Sequence, residues 1–338
     1  MSPEQVAVSV LTPVLNEEAA IREAAAAMQA QHLDGGLELI FIDGRSEDAT
    51  VTILSELAGS DPRIKILENP RRITPVGLNI GLAAARGKVI ARMDAHTHYP
   101  PDYLARGLER LERGGAAHVS GPQIPKGEGR WSRRVALALS SRLGTGEADF
   151  RHMSDAEIEV DSGFTGMWLR STLERHGGWD EDWPNDQDTE LAARIRANGG
   201  RIVCLPGMAA EYVPRDSLGQ LARQYFRYGQ YRSKTSGAHP ESMRRSHVIA
   251  PSLVLTLVAA LLGRRGPFAP LARAGIATYA AALLAVSEGE ARRARLADAA
   301  SLPLVFATMH LAWGLGFLVG CARFGAPVAA LRRIVTGR

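Results

Sequence analysis

Val6-Ala7-Val8-Ser9-Val10-Leu11-Thr12-Pro13-Val14-Leu15-Asn16-Glu17 runs from an apolar, β-branched stretch straight into Pro, Asn and Glu. Its first half predicts a buried strand, and its second half marks where that strand yields to a turn and a helix. Leu37 to Ile42, Ile64 to Leu67 and Val89 to Met93 repeat the theme, with helices predicted over 17–31, 46–57, 75–85 and 101–113. Ser46, Glu47 and Asp48 suit a helix start, because acidic groups favour the positive end of the helix dipole. Strands alternating with helices predict an α/β domain with a mostly parallel central sheet. No G-x-G-x-x-G follows the first strand, which argues against a nicotinamide dehydrogenase.

Open α/β sheets bind ligands beyond the carboxyl ends of their strands, and acidic residues gather there. Asn16-Glu17 and Asp43 end the first two predicted strands, where a carboxamide and carboxylates can meet a base or ribose; an ordinary Pro-Asn turn is the alternative. Asp94-Ala95-His96 leaves the fourth strand. If that segment is extended, Asp94 and His96 point the same way and can converge on one divalent cation, with an imidazole leaning the choice toward manganese. A helix N-cap or turn carboxylate is the alternative for Asp94. Asp188-Thr189-Glu190 opens a helix whose apolar side carries Leu191 and Ile195, so Asp186, Asp188 and Glu190 also suit its N-terminus on dipole grounds alone.

Composition limits the rest. The 338 residues, 46% apolar and 22% charged, describe an ordered chain long enough for one large α/β domain and an appendage. The net charge of +4 comes from arginines spread along the chain without a zinc-finger or RNA-recognition pattern, so no nucleic-acid partner is expected. Cys204 and Cys321 stand apart in apolar runs and predict neither a disulfide framework nor a zinc site. The start, MSPEQVAVSVLTP, reads as the first strand rather than a signal peptide. Beyond about His247 the chain turns apolar over Val248 to Gly263, Phe268 to Ser287 and Leu302 to Cys321, punctuated by Arg264-Arg265, Arg292-Arg293-Arg295 and Arg332-Arg333. Each stretch is near the roughly 20 residues that cross a bilayer. Two to three membrane helices are expected; three spans put the last Arg pair outside, against the positive-inside tendency, whereas two spans and an interfacial helix do not.

Pro13-Val14-Leu15-Asn16-Glu17, Asp43-Gly44-Arg45-Ser46-Glu47-Asp48, Asp94-Ala95-His96 and Gln187-Asp188-Thr189-Glu190-Leu191 with Arg194, in that order, resemble the inverting family 2 glycosyltransferases. The resemblance runs from about residue 6 to about residue 240. It implies a GT-A fold over residues 1–240; the apolar stretches then predict a membrane region over 247–323, with a short basic tail over 324–338. It implies that Pro13, Asn16, Glu17 and Asp43 hold the nucleotide of a sugar donor, most simply a UDP-sugar. Asp94 and His96 match the D-x-D motif, with His in place of the second Asp, and imply a Mn2+ or Mg2+ cofactor bound with the diphosphate. Asp188 matches the catalytic base, and displacement at an anomeric carbon needs such a base to take the acceptor's proton.

Gly163-Phe164-Thr165-Gly166 is similar to the small-residue stretch lining the sugar pocket of such transferases, which brings in Gly163 and Gly166; an ordinary turn is the alternative. Gln224-Tyr225-Phe226-Arg227-Tyr228 resembles the Q-x-x-R-W motif of processive synthases, with Tyr228 in place of Trp. Arg227 then meets donor or acceptor, although a basic helix lying on a membrane explains it equally well. A membrane tail points to a lipid-linked glycan as acceptor, in exopolysaccharide or cell-surface glycan synthesis, by a multi-pass cell-membrane protein with its catalytic domain in the cytosol. A processive synthase, a polyprenyl-phosphate sugar synthase and a silent nucleotide-sugar binder remain open.

Overall fold

The computed structural model describes residues 6–146, 155–262, 269–291 and 295–337. Arg264-Arg265, Arg292-Arg293, and the predicted segment ends Gly263 and Phe268 lie outside the described residues. The chain divides into two compact units, residues 1–124 with 149–212, and residues 125–148 with 213–338. Residues 125–148 and 213–240 group with the apolar helices in the second unit.

The first unit is built on the predicted alternation. Strands β1 (Val6–Val14), β2 (Gly36–Asp43), β3 (Ile64–Glu68) and β4 (Val89–Arg92) alternate with α1 (Ile21–Gln29), α2 (Thr50–Ser60) and α3 (Thr74–Ala84), and α4 (Tyr103–Glu112) follows. Then come β5 (Thr97–His98, ahead of α4), β6 (His118–Gly121), β7 (Gln123–Pro125), β8 (Ile158–Glu159), β9 (Phe164–Leu169), β10 (Ile202–Cys204) and β11 (Ala210–Tyr212). The sheet order is β3-β2-β1-β4-β9-β6-β10-β8, and β5-β11-β7 form a smaller sheet. β3, β2, β1 and β4 are mutually parallel, while β9 runs antiparallel to both β4 and β6.

Alternate residues of each central strand feed opposite faces, and both faces are apolar because helices cover both. Val8, Val10, Leu39 and Phe41 pack with Ile21, Met28, Leu54 and Tyr103 on one side. Leu11, Ile40, Ile42 and Ile90 pack with Leu78, Trp168, Trp179 and Leu191 on the other. In α1 the buried residues Ile21, Ala24, Ala25 and Met28 follow the spacing of one helical face. Helices α1 and α2 start at Ile21 and Thr50, about four residues later than predicted. The polar residues assigned to their first turns instead join two loops, as described below.

The second unit is helical. It contains α5 (Arg130–Leu139), α6 (Arg142–Thr145), α9 (Leu218–Ala238), α10 (Ile249–Leu262), α11 (Ala269–Ala291), α12 (Leu296–Ala299), α13 (Leu302–Phe324) and α14 (Val328–Thr336); α7 (Arg170–Arg175) and α8 (Gln187–Ala197) belong to the first unit. Among the described residues three stretches, Arg245–Leu262, Ala269–Glu290 and Leu296–Phe324, are long and apolar enough to cross a membrane. Helix α9 lies against α13 so closely that a Cβ at Gly229, Gly316 or Gly320 would strike the facing carbonyls of Trp313, Phe226 or Gln230. Small residues at a helix interface allow this backbone approach.

Candidate active site

The loops that leave β1 and β2 are cross-linked by their own polar residues. The Asn16 amide N–H donates to Ser46 Oγ (2.8 Å), and Asn16 Oδ1 accepts from the Glu47 N–H (2.8 Å). Glu17 N–H donates to Thr50 Oγ1 at 2.8 Å. Asn16 sits at φ 56°, a left-handed conformation that Asn tolerates better than most residues. Its place after the strand thus has a local explanation. Asp43, buried at the end of β2, accepts the Ser46 N–H on both carboxylate oxygens (3.2 and 3.1 Å), closing a tight turn. Pro13 stays within β1, opposite Ile42 of β2.

The turn after β4 carries the next two residues. β4 ends at Arg92, and Thr97 N–H donates to the Asp94 carbonyl (3.3 Å), so residues 94–97 turn rather than extend. The expected strand-like convergence of Asp94 and His96 is corrected accordingly. The Asp94 backbone N–H donates to the Tyr99 hydroxyl at 2.8 Å, which anchors the turn from within. His96 Nδ1 lies 3.8 Å from Glu17 Oε1, and its ring meets Tyr212 edge-on at 5.9 Å.

Arg92 joins this turn to α8. Its Nε and Nη2 donate to Asp94 Oδ1 and Oδ2 (2.8 and 3.1 Å), while Nη1 donates to both oxygens of Asp188 (2.8 Å each). Arg92 and Asp94 are each 7% exposed, so these are desolvated, charge-assisted contacts. Burial pulls the guanidinium toward neutrality, but Asp188 and Asp94 outweigh it and its pKa rises, so Arg92 stays charged. Burial pushes the Asp188 carboxyl above its ordinary range, with Arg92 pulling the other way.

Sequence reasoning did not assign Arg92 a role. The available signal was a charge inside a four-residue strand otherwise made of Val, Ile and Ala.

Asp188 stands in the first turn of α8, after Asp186 at φ 63°. Leu191 and Ile195 are buried beneath it, as predicted. Glu190 is 2% exposed and gives both oxygens to Arg194 (2.6 and 2.7 Å), which also donates to the carbonyls of His176 and Gly178. Glu190 thus secures the loop before α8.

Gly163 and Gly166 flank the start of β9, and Gly166 pairs with Arg92 in the ladder. A Cβ at either position would collide with Ser120 or His118 of β6, and Gly166 has φ 113°. Close packing of strands accounts for both glycines. Arg227 belongs to the second unit, where it lines a groove with Arg223, Phe226, Gln230, Ala312 and Leu315. Gln224 Nε2 donates to the Tyr228 hydroxyl at 2.8 Å.

Among the described residues no group of three His, Cys, Asp or Glu side chains forms a ready metal cage. Asp94 and His96 offer one carboxylate and one imidazole. Arg92 uses two of the roughly four lone-pair directions of Asp94, so others remain. A divalent cation carried by a diphosphate takes most of its ligands from phosphate and water. By chemistry, one carboxylate and one imidazole suit that kind of cation better than a fully protein-held one.

A mostly parallel sheet with carboxylates gathered beyond its strand ends is the architecture of nucleotide-sugar transferases. Residues 9–177 match Glycosyl transferase family 2, and the chain belongs to that family. It is a glycosyltransferase with the GT-A fold. It is 28% identical over 311 residues to the succinoglycan biosynthesis protein ExoA of Rhizobium meliloti, covering 91% of this chain and 93% of the relative. It is 28% identical over 204 residues to a beta-monoglucosyldiacylglycerol synthase of Trichormus variabilis, covering 59% of this chain and 43% of the relative. The mannosyltransferase PcManGT from Pyrobaculum calidifontis, solved with GDP-Man and Mn2+, shares the fold at TM-score 0.50 and 21% identity, covering 100% of this chain and 91% of that one.

Proposed function

We propose that the chain transfers a sugar, with inversion, from a nucleoside diphosphate sugar to a hydroxyl of a lipid-linked glycan at the cytosolic face of the cell membrane. The setting is exopolysaccharide or cell-surface glycan synthesis. The observation that carries the reading is that a single buried guanidinium, Arg92, holds both Asp94 and Asp188. A carboxylate suited to the donor's diphosphate end thereby stands beside one suited to the acceptor. Support for the setting comes from the succinoglycan biosynthesis relative and the glucolipid synthase, and from three helices apolar enough to cross a membrane.

In this mechanism Asp188 takes the proton of the acceptor hydroxyl as its oxygen bonds to the anomeric carbon. The bond from that carbon to the diphosphate breaks, and the nucleoside diphosphate leaves. The loops carrying Asn16, Glu17 and Asp43 face the nucleotide. Asp94 and His96 are the residues that would hold Mn2+ or Mg2+, which when bound offsets negative charge on the departing diphosphate. The GDP-Man and Mn2+ of the structural neighbour support a donor and a cation of this kind. UDP-sugars and GDP-sugars are both in scope.

The test is transfer of labelled sugar from a panel of UDP- and GDP-sugars to a membrane lipid extract, with manganese or with EDTA. Wild type is expected to label lipid from one donor in a metal-dependent way, and Asp188→Asn to lose roughly 10²–10⁴-fold in turnover. An Asp188→Asn enzyme as fast as wild type would remove Asp188 as the base. Products longer by many sugars would point to a processive synthase.

A further inference from the structure

Asp188 has few constraints of its own. Apart from those to Arg92, the one hydrogen bond of its side chain among the described residues is accepted from Gln187 Nε2, at 3.4 Å. Asp94 is different, because its backbone is tied to Tyr99 and its turn is closed by Thr97. The rotamer of Asp188 therefore rests mainly on Nη1 of Arg92, which reaches both of its oxygens. Arg92 is itself fixed from the other side, where its Nε/Nη2 edge meets Asp94 in a two-bond fork. A planar guanidinium can do both at once, since its edge and its free tip point in different directions; an ammonium offers a single point charge.

The charges matter as well. One cation shared by two carboxylates leaves a net negative charge in the cluster, so the clamp orients Asp188 without cancelling it.

We propose that Arg92 is the positioning residue of the transfer reaction: it holds the Asp188 carboxylate in register with Asp94, so that the proton acceptor and the diphosphate end of the donor keep a fixed spacing through one side chain. This rests on the reading of Asp188 as the base. Arg92 touches neither proton nor leaving group; it acts through Asp188.

The experiment compares wild type, Arg92→Lys, Asp188→Asn and the double variant in full-length protein. Turnover is followed with whichever of labelled UDP-glucose or GDP-mannose serves as donor. Binding of UDP and GDP with manganese is measured by calorimetry, and folding by thermal unfolding. Arg92→Lys is expected to unfold cooperatively and to bind the nucleoside diphosphate within about three-fold of wild type, while kcat falls by about 30-fold or more, because small displacements of a reacting group cost on the order of 10²-fold. Residues that act as one unit do not add, so the double variant should be no slower than Asp188→Asn alone.

An Arg92→Lys enzyme with wild-type kcat, alongside an inactive Asp188→Asn, overturns the role of Arg92 and leaves the base intact. Loss of nucleotide binding or of cooperative unfolding together with kcat makes Arg92 a structural counterion and also overturns it. Full activity in Asp188→Asn removes the base, and with it this proposal.

Discussion

At the scale of single residues, the buried ionisable groups of the sheet set how the fold responds to acid. His118 in β6 stacks on Trp168 at 4.2 Å, with Nε2 2.9 Å from the Thr165 carbonyl. Burial lowers its pKa from 6.5 to about 4. The unfolded chain therefore takes up a proton near pH 6.5 that the folded chain refuses until about 4, and stability is lost as the pH falls across that window. The loss amounts to about 3 kcal/mol when complete. Glu38 on β2 accepts from Ser9, Lys65 and the Arg86 backbone. Burial alone would raise its pKa, but these partners bring it down to about 2, so its contribution is present above about 4.5 and fades toward 2. Denaturant unfolding at a series of pH values should show a slope between 6.5 and 4 that is shallower in His118→Gln. An unchanged slope in that variant would assign the acid sensitivity elsewhere.

Among the elements, glycine placement separates a packing seam from a tolerant surface. Gly320 of α13 faces Gln230 and Ser233 of α9 with no room for a Cβ, whereas a Cβ at Gly237 on the same α9 meets nothing within 4 Å. Gly320→Val should separate the two helices and destabilise by about 1–3 kcal/mol or more, while Gly237→Ala should stabilise by about 0.5–1 kcal/mol through helix propensity. Thermal unfolding of the two variants side by side checks both signs.

The elements also show what a linear reading can recover. β1, β2 and β4 were legible because a sheet covered on both faces writes a strand as a nearly continuous apolar run, and the edge strand β3 as a short run of Ile and Leu broken by Lys65. The helix starts at 17 and 46 were misread because Asn16, Glu17, Ser46 and Asp48 look like capping residues yet bond across from one loop to the next. Asp94 and Asp188 stood out as acids at element ends. Arg92 did not, since its meaning depends on one partner two residues away and another 96 residues away.

For the whole molecule, the last arginine contact constrains how the chain meets a bilayer. Arg333 of α14 donates to the carbonyls of Pro240, Glu241 and Met243, which lie just ahead of α10. Two segments joined by hydrogen bonds share one side of any bilayer, so if the proposed membrane reading holds, the chain between residues 243 and 333 crosses an even number of times. Three apolar stretches cannot all be spans under that parity. Asp298, just before α13, is bound to Arg134 of α5 at 3.0 Å, His310 in its first half lies 2.9 Å from the Leu143 carbonyl, and Gly320 in its second half packs on Gln230 and Ser233 of α9, so both halves of α13 are tied to segments that precede α10. The stretch that includes α13 is also far more buried than those of α10 and α11. On the proposed membrane reading, α10 and α11 would cross as a hairpin, and Arg332 and Arg333 would return to the side of residues 240–243. A topology reporter fused after Arg338 should read cytosolic, and one inserted between α10 and α11 external; an external C-terminus would break the parity.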